Sequence, residues 1–245
     1  KKHVLEHAVR WYGDGAFTAW LDKDCTWFDT LVDRIVPGHD KEERARCLSE
    51  TGFDDELLVV TEPYHIFVIQ GKEREDILPF RKAGFNVVWT DDLSPYRTLK
   101  VRILNGGHTF MAMVGLGLGI ATVGEALEHP LMGKALDAFY SKEVLPLMPF
   151  EAKVLSEYKA TILDRFANPF VVHKLGDIAL NSVSKYISRI LPGINEYVER
   201  YGTAPELGSF GLAALLNRYF FEADVKDDGP ILEKFRSLAA EWSTD

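Results

Sequence analysis

The chain has 245 residues, 47% of them hydrophobic and 27% charged, with a formal net charge of −9. That composition excludes a fibre or a disordered tail, and the length allows one large domain or two smaller ones, each able to bury a core. The acidic balance repels phosphate backbones and anionic headgroups, which argues against nucleic acid and membrane surfaces as partners.

Two cysteines, Cys25 and Cys47, are too few for a disulfide framework or a four-cysteine zinc site and fit a reducing cytoplasm. No run of about 18–20 apolar residues is present, so no membrane span is expected. The longest weakly polar stretch, Thr109 to Gly124, is rich in glycine and alanine and stops at Glu125. The chain opens Lys1-Lys2-His3 with neither methionine nor a signal-peptide pattern, and it reads as a fragment that starts inside a helix.

In chain order, Val4, Leu5, Ala8 and Trp11 recur near helical spacing, so a helix is predicted within residues 1–22. Gly13-Asp14-Gly15 breaks it, and a short second helix follows around Phe17 to Leu21. Residues 26–36 are rich in aromatic and β-branched types and read as a strand closed by Pro37-Gly38. Asp40 to Ser49 reads as a charged helix. Leu57 to Thr61, His65 to Ile69 and Phe85 to Thr90 are short apolar runs that fit a small sheet, mixed or antiparallel because the connections are short.

The pattern changes at Asp91 to Pro95, where Ser94 reads as an N-cap and Pro95 as the first helical residue. Helices are predicted near 95–124, 131–147, 151–167, 171–190, 194–200, 206–222 and 229–241, separated by breaks such as His129-Pro130, Asn168-Pro169 and Pro192-Gly193. The expected organisation is an α+β part over residues 1–92 and an all-α domain over 93–245.

The segment Lys100-Val101-Arg102-Ile103-Leu104-Asn105-Gly106-Gly107-His108 carries the chemistry. On an α-helix, with about 100° per residue, His108 falls about 80° and Asn105 about 140° from Lys100, so the three heads share one broad face. An alcohol that gives up hydride needs a base for its hydroxyl proton, and a lysine with a depressed pKa is one. The developing oxyanion needs neutral donors, which an amide and an imidazole supply. Gly106 and Gly107 remove bulk so that a ligand or another backbone approaches. Taken as residue types alone, a solvated lysine and a helix-ending asparagine remain open.

Lys-x-x-x-x-Asn-Gly-x-His resembles the signature of the long-chain mannitol dehydrogenase family. Thr30 to Gly38, around Val32-Asp33-Arg34-Ile35, is similar to a strand of the same family. So are Val88-Trp89-Thr90-Asp91-Asp92-Leu93-Ser94-Pro95-Tyr96-Arg97 and Arg165-Phe166-Ala167-Asn168-Pro169 followed by His173 and Lys185. The details resemble the branch that interconverts altronate and tagaturonate; fructuronate or mannitol dehydrogenases are the runner-up within the family.

The resemblance implies a mainly α fold: an all-α C-terminal domain like that of 6-phosphogluconate dehydrogenase, preceded by an α+β remnant of a Rossmann-type domain. It implies NAD as cofactor, no metal, a small sugar-acid substrate, Lys100 as general base with Asn105 and His108 beside it, and Arg165, His173, Lys174 and Lys185 lining the substrate pocket. Arginine or lysine there would orient the substrate carboxylate. Two positions depart from the family. Asp29 stands where relatives often carry an asparagine that holds the reacting oxygen, and Arg97 stands where mannitol dehydrogenases tend to carry a glutamate tied to proton exchange; both are expected at the substrate.

The family's Gly-rich phosphate turn is missing before residue 26, and Gly115-Leu116-Gly117-Leu118-Gly119 lacks the spacing and the preceding strand, so it reads as close helix packing. The isolated chain is therefore expected to bind nicotinamide cofactor poorly. Two rival classes are a non-catalytic helical interaction module, which predicts an exposed Lys100, and a metal enzyme built on His3 and His7, for which no HExxH or Cys/His cluster exists.

Overall fold

The computed structural model describes residues 1–37 and 41–242, the side chain of Trp242 excepted. Gly38 of the predicted turn and Asp40 of the predicted charged helix lie outside the described residues. The chain forms two compact units, Lys1–Asp33 with Ile66–Tyr96, and Arg34–His65 with Arg97–Asp245.

The first unit begins with α1 (Lys2–Tyr12) and α2 (Ala16–Lys23), broken where Gly13 takes a φ of 76°. Its sheet has three strands in the order β1 (Asp29–Asp33), β2 (Ile66–Gln70) and β3 (Val87–Thr90). β1 pairs antiparallel with β2, Leu31 opposite Val68, and β2 pairs parallel with β3, Ile69 opposite Trp89. The sheet is thus mixed. Gly71 leaves β2 with a φ of 144°, and a Cβ there would lie 2.9 Å from the Phe28 ring, which stacks edge-on against Trp89 at 5.5 Å.

In the second unit, α3 (Lys41–Thr51) is followed by a stretch that departs from the sequence expectation. Leu57 to Thr61 forms no strand; Leu57 is 85% exposed and Val59 62%. Asp55 accounts for this locally: its carbonyl accepts from Leu58 N–H and its Oδ1 from Leu57 N–H, so the backbone is satisfied by a turn rather than by a ladder.

From Ser94 a continuous helical run holds α4 (Ser94–Leu99), a π-turn over Lys100–Asn105 and α5 (Gly106–Gly117). Asp92 Oδ1, not Ser94, accepts at its start, from the Ser94 N–H at 2.9 Å. Residues 106–115 of α5 are all buried, as expected of a helix apolar on every side. Burying a Phe or Met here contributes about 1.5–3 kcal/mol each. Around it lie α6 (Val123–Glu128), α7 (Pro130–Ala138), a second π-turn over Phe139–Val144 running into a short 3-10 turn, and α8 (Ala152–Phe166). The His129-Pro130 break is an N-cap with proline in the first turn: His129 Nδ1 accepts from Met132 N–H.

The stretch predicted as one helix over 171–190 is instead an extended segment, α9 (Leu175–Ile178) and α10 (Ser182–Arg189). Asn181, in the left-handed region at φ 54°, separates the two helices; asparagine tolerates that conformation better than most residues. α11 (Leu191–Tyr201), α12 (Glu206–Phe221) and α13 (Gly229–Trp242) complete the bundle. Glu143, buried in the second π-turn, accepts from Leu207 and Gly208 N–H at 2.7 and 2.8 Å and so caps the start of α12.

Candidate active site

The motif Lys100–Asn105 coincides with the first π-turn. Its bonding is looser than that of an α-helix; Gly106 N–H reaches back to Val101 O, five residues away. Each residue therefore advances less than about 100°, and the angular spread predicted for Lys100, Asn105 and His108 on a regular α-helix does not apply as it stands.

Tyr140, fully buried in the second π-turn, donates to Ile103 O at 2.8 Å and so holds the first π-turn from behind. Gly107 makes this contact sterically feasible: a Cβ on it would lie 1.8 Å from Tyr140 Oη. The expected role of Gly107 as space for a ligand is corrected accordingly; its space belongs to Tyr140. Gly106 does admit another backbone, for its added Cβ would sit 3.7 Å from Arg189 O.

Lys100 and Asn105 bound the turn and are both half-buried, whereas the interaction-module reading predicts an exposed Lys100. His108 is buried between the ring of Phe166 at 4.4 Å and that of His173 at 4.8 Å. Burial, followed by the charges of His173, Arg189 and Arg165, holds the His108 pKa well below the ordinary histidine value. Burial also lowers His173, partly opposed by Asp177. His108 Nε2 and His173 Nδ1 are both buried without a hydrogen-bond partner among the described residues. Two adjacent buried imidazoles with unsatisfied nitrogens are suited to binding hydroxyl or carbonyl oxygens.

His173 sits in the extended segment before α9, fixed because Val123 N–H donates to His173 O and Leu175 N–H to Ala121 O. Lys174 follows it at the surface. Lys185, on α10, donates to Ile178 O at 2.9 Å, and burial together with the Arg189 charge draws its ammonium below the usual lysine range. Arg165 is buried and paired. Its Nη2 lies 2.7 Å from Glu62 Oε1, its Nε 3.1 Å from Oε2, and its guanidinium carbon 4.0 Å from the Tyr64 ring centroid. Glu62 Oε1 also accepts from Ile35 N–H at 2.6 Å.

Arg97 and Asn105 line one groove of about 440 Å³ together with Thr98, Arg102 and Arg189. Asp29 belongs to the other unit, where it is exposed on β1 opposite Gln70. Sequence reasoning missed Glu62, Tyr140 and Arg189. The signals were a carboxylate isolated between two apolar runs and a second cation four residues after Lys185 on one helix.

Two of the remaining glycines are taken up by packing. A Cβ on Gly115 would lie 2.7 Å from Leu175 Cδ1, so Gly115 serves helix packing as expected. Gly71, after β2, is taken up by Phe28. Among the described residues no three His, Cys, Asp or Glu side chains gather as a metal site, and no helix is long and apolar enough to cross a membrane.

Residues 92–237 match the mannitol dehydrogenase C-terminal domain and residues 1–79 the mannitol dehydrogenase Rossmann domain. The chain is 40% identical over 233 residues to the altronate oxidoreductase of Halalkalibacterium halodurans, covering 95% of this chain and 45% of that protein. It is 40% identical over 241 residues to the altronate oxidoreductase of Bacillus subtilis, covering 97% and 49%. It therefore spans about half the length of the curated relatives it matches. Among solved structures it is similar to Pseudomonas fluorescens mannitol 2-dehydrogenase in ternary complex with NAD and D-mannitol, with a TM-score of 0.75, 26% identity, and coverage of 98% of this chain and 49% of that one. With both domain types matched in order along the sequence, the chain belongs to the mannitol dehydrogenase family.

Proposed function

We propose that this chain is the substrate-binding and catalytic portion of a cytoplasmic, NAD-dependent, metal-independent dehydrogenase that interconverts altronate and tagaturonate. Residues 1–92 would form the last part of its nucleotide-binding domain and residues 93–245 its substrate domain. The observation that carries the reading is a lysine and an asparagine bounding one π-turn, with a buried neutral imidazole three residues on, in a chain of this family. The 40% identity to two altronate oxidoreductases supports the sugar-acid substrate over a neutral polyol.

When bound, a nicotinamide cofactor supplies the hydride acceptor; no residue of this chain is assigned to holding it. In oxidation the Lys100 amine takes the hydroxyl proton as the carbinol carbon becomes a carbonyl. In reduction the ammonium returns that proton. Asn105 and His108 donate to the reacting oxygen, and the burial that keeps His108 uncharged suits it to hydrogen-bond rather than to form an ion pair. His173, Lys174, Lys185 and Arg97 meet the remaining substrate oxygens. Arg165, spent on Glu62, acts as a positioning residue that fixes the end of α8 and with it Phe166 against His108.

The test is Lys100→Met in the intact protein, assayed by NADH oxidation with tagaturonate. Removing the base lowers kcat by about 10²–10⁴-fold. Turnover unchanged in a folded Lys100→Met protein would refute the assignment.

A further inference from the structure

The groove beside Asn105 contains three arginines in different states of charge compensation. Arg102 is neutralised by Glu196, with Nη1 to Oε2 at 2.7 Å. Arg97 is exposed and Arg189 half-buried, and neither has a carboxylate within ion-pair reach among the described residues. Arg189 makes one hydrogen bond among them, Nη1 to Thr109 Oγ1 at 3.2 Å, from a guanidinium that carries five N–H donors. Thr109 Oγ1 in turn donates to Asn105 O at 2.9 Å, so Arg189 is held in register with Asn105.

A guanidinium taken partly out of water without a counter-charge is unfavourable unless a ligand supplies one. Its burial lowers the Arg189 pKa, and no acidic neighbour opposes that shift. Arg165, the other buried arginine, already has its counter-charge in Glu62. A volume of about 440 Å³ holds a six-carbon acid.

We propose that Arg189, with Arg97 lining the same groove, binds the carboxylate of the substrate and so selects a sugar acid over the corresponding neutral polyol. This rests on the sugar-acid reading above and assigns its specificity to residues outside the Lys100, Asn105 and His108 set. The planar fork of Arg189 matches a carboxylate in two parallel hydrogen bonds, a geometry that lysine does not reproduce.

The experiment measures binding of altronate and of its neutral counterpart altritol by calorimetry, using the intact protein as wild type, Arg189→Gln, Arg189→Lys and Arg97→Gln. Loss of charge-assisted hydrogen bonds predicts altronate binding weakened about 10- to 100-fold in Arg189→Gln, with altritol binding within about twofold of wild type. Arg189→Lys recovers part of the loss. Equal weakening for acid and polyol would mark Arg189 as merely structural and overturn the proposal, as would unchanged altronate binding or a wild type that binds no altronate. Should Arg189→Gln fail to melt cooperatively, Arg97→Gln decides: a loss confined to altronate supports the proposal and no loss overturns it. Selective loss of altronate binding stands whether or not tagaturonate is turned over, so failure of the proposed reaction is read separately from failure of this assignment.

Discussion

Replacing Gly107 by alanine tests how the π-turn is held. The added methyl would sit 1.8 Å from Tyr140 Oη and 2.8 Å from its Cζ, against the hydroxyl end of a side chain that is fully buried. Tyr140 must move, and its hydrogen bond to Ile103 O is lost with it. Overpacking a filled core costs about 1–3 kcal/mol. Ile103 O keeps the Gly106 N–H, but a buried tyrosine hydroxyl left without its acceptor adds about 1–3 kcal/mol. The two overlap, because the same displacement relieves the clash and breaks the bond, so we expect about 3 kcal/mol in total. For a chain of this size that corresponds to a fall in Tm of about 6–12 °C.

Differential scanning calorimetry of the intact protein reads this directly, and a double-mutant cycle with Tyr140→Phe isolates the cause. Phenylalanine removes the atom in the worst clash but leaves the ring carbon at 2.8 Å, so Gly107→Ala should cost less in the Tyr140→Phe background, by at least about 1 kcal/mol. If Gly107→Ala melts within a degree of wild type, or the two effects simply add, Tyr140 is not what demands glycine at this position.

The buried imidazoles make stability sensitive to acid. The folded pKa of His108 lies well below the ordinary histidine value, because of burial first and then His173, Arg189 and Arg165, and His173 is lowered mainly by burial. The unfolded chain therefore binds protons first as pH falls, so stability is full above about 6.5 and drops below it, toward the folded pKa values. Urea midpoints at pH 7.5 and 5.5 should show the decline, and His108→Gln should reduce its slope; a parallel slope in the variant would contradict the assignment. At the other buried pair, Glu62→Gln removes the carboxylate charge that Arg165 pairs with and weakens the Ile35 N–H contact, at a cost of about 3–5 kcal/mol by denaturant unfolding. A cost under about 1 kcal/mol would mean water reaches the guanidinium.

How much of this was legible in the sequence depended on whether the cause was local. The helices of the second unit were foreshadowed by periodicity and by breaks such as His129-Pro130, where the chemistry of the break is also the cap. Leu57 to Thr61 misled because apolar content suggests a strand, but a strand needs a partner, and the Asp55 turn satisfies the backbone first. The helix predicted over 171–190 failed at Asn181, whose left-handed φ reflects the packing of two short helices and not a preference visible in single residues. The lysine, asparagine and histidine could be picked out by residue type and spacing. The π-turn beneath them could not, because it depends on Tyr140, 37 residues from Ile103 in the chain.

Charge pairing separates the arginines of the second unit in a way the sequence does not announce. Arg102 and Arg165 each face a carboxylate, Glu196 and Glu62, and so serve the scaffold. Arg97 and Arg189 have no such partner among the described residues and share their groove with Asn105. A fold that needed cations there only for packing would gain by pairing them, since an uncompensated guanidinium in a partly dry groove weakens the folded state. Its retention makes sense when the counter-charge arrives with the ligand, so the arginine that costs the empty protein stability is the one that favours the acid over the polyol.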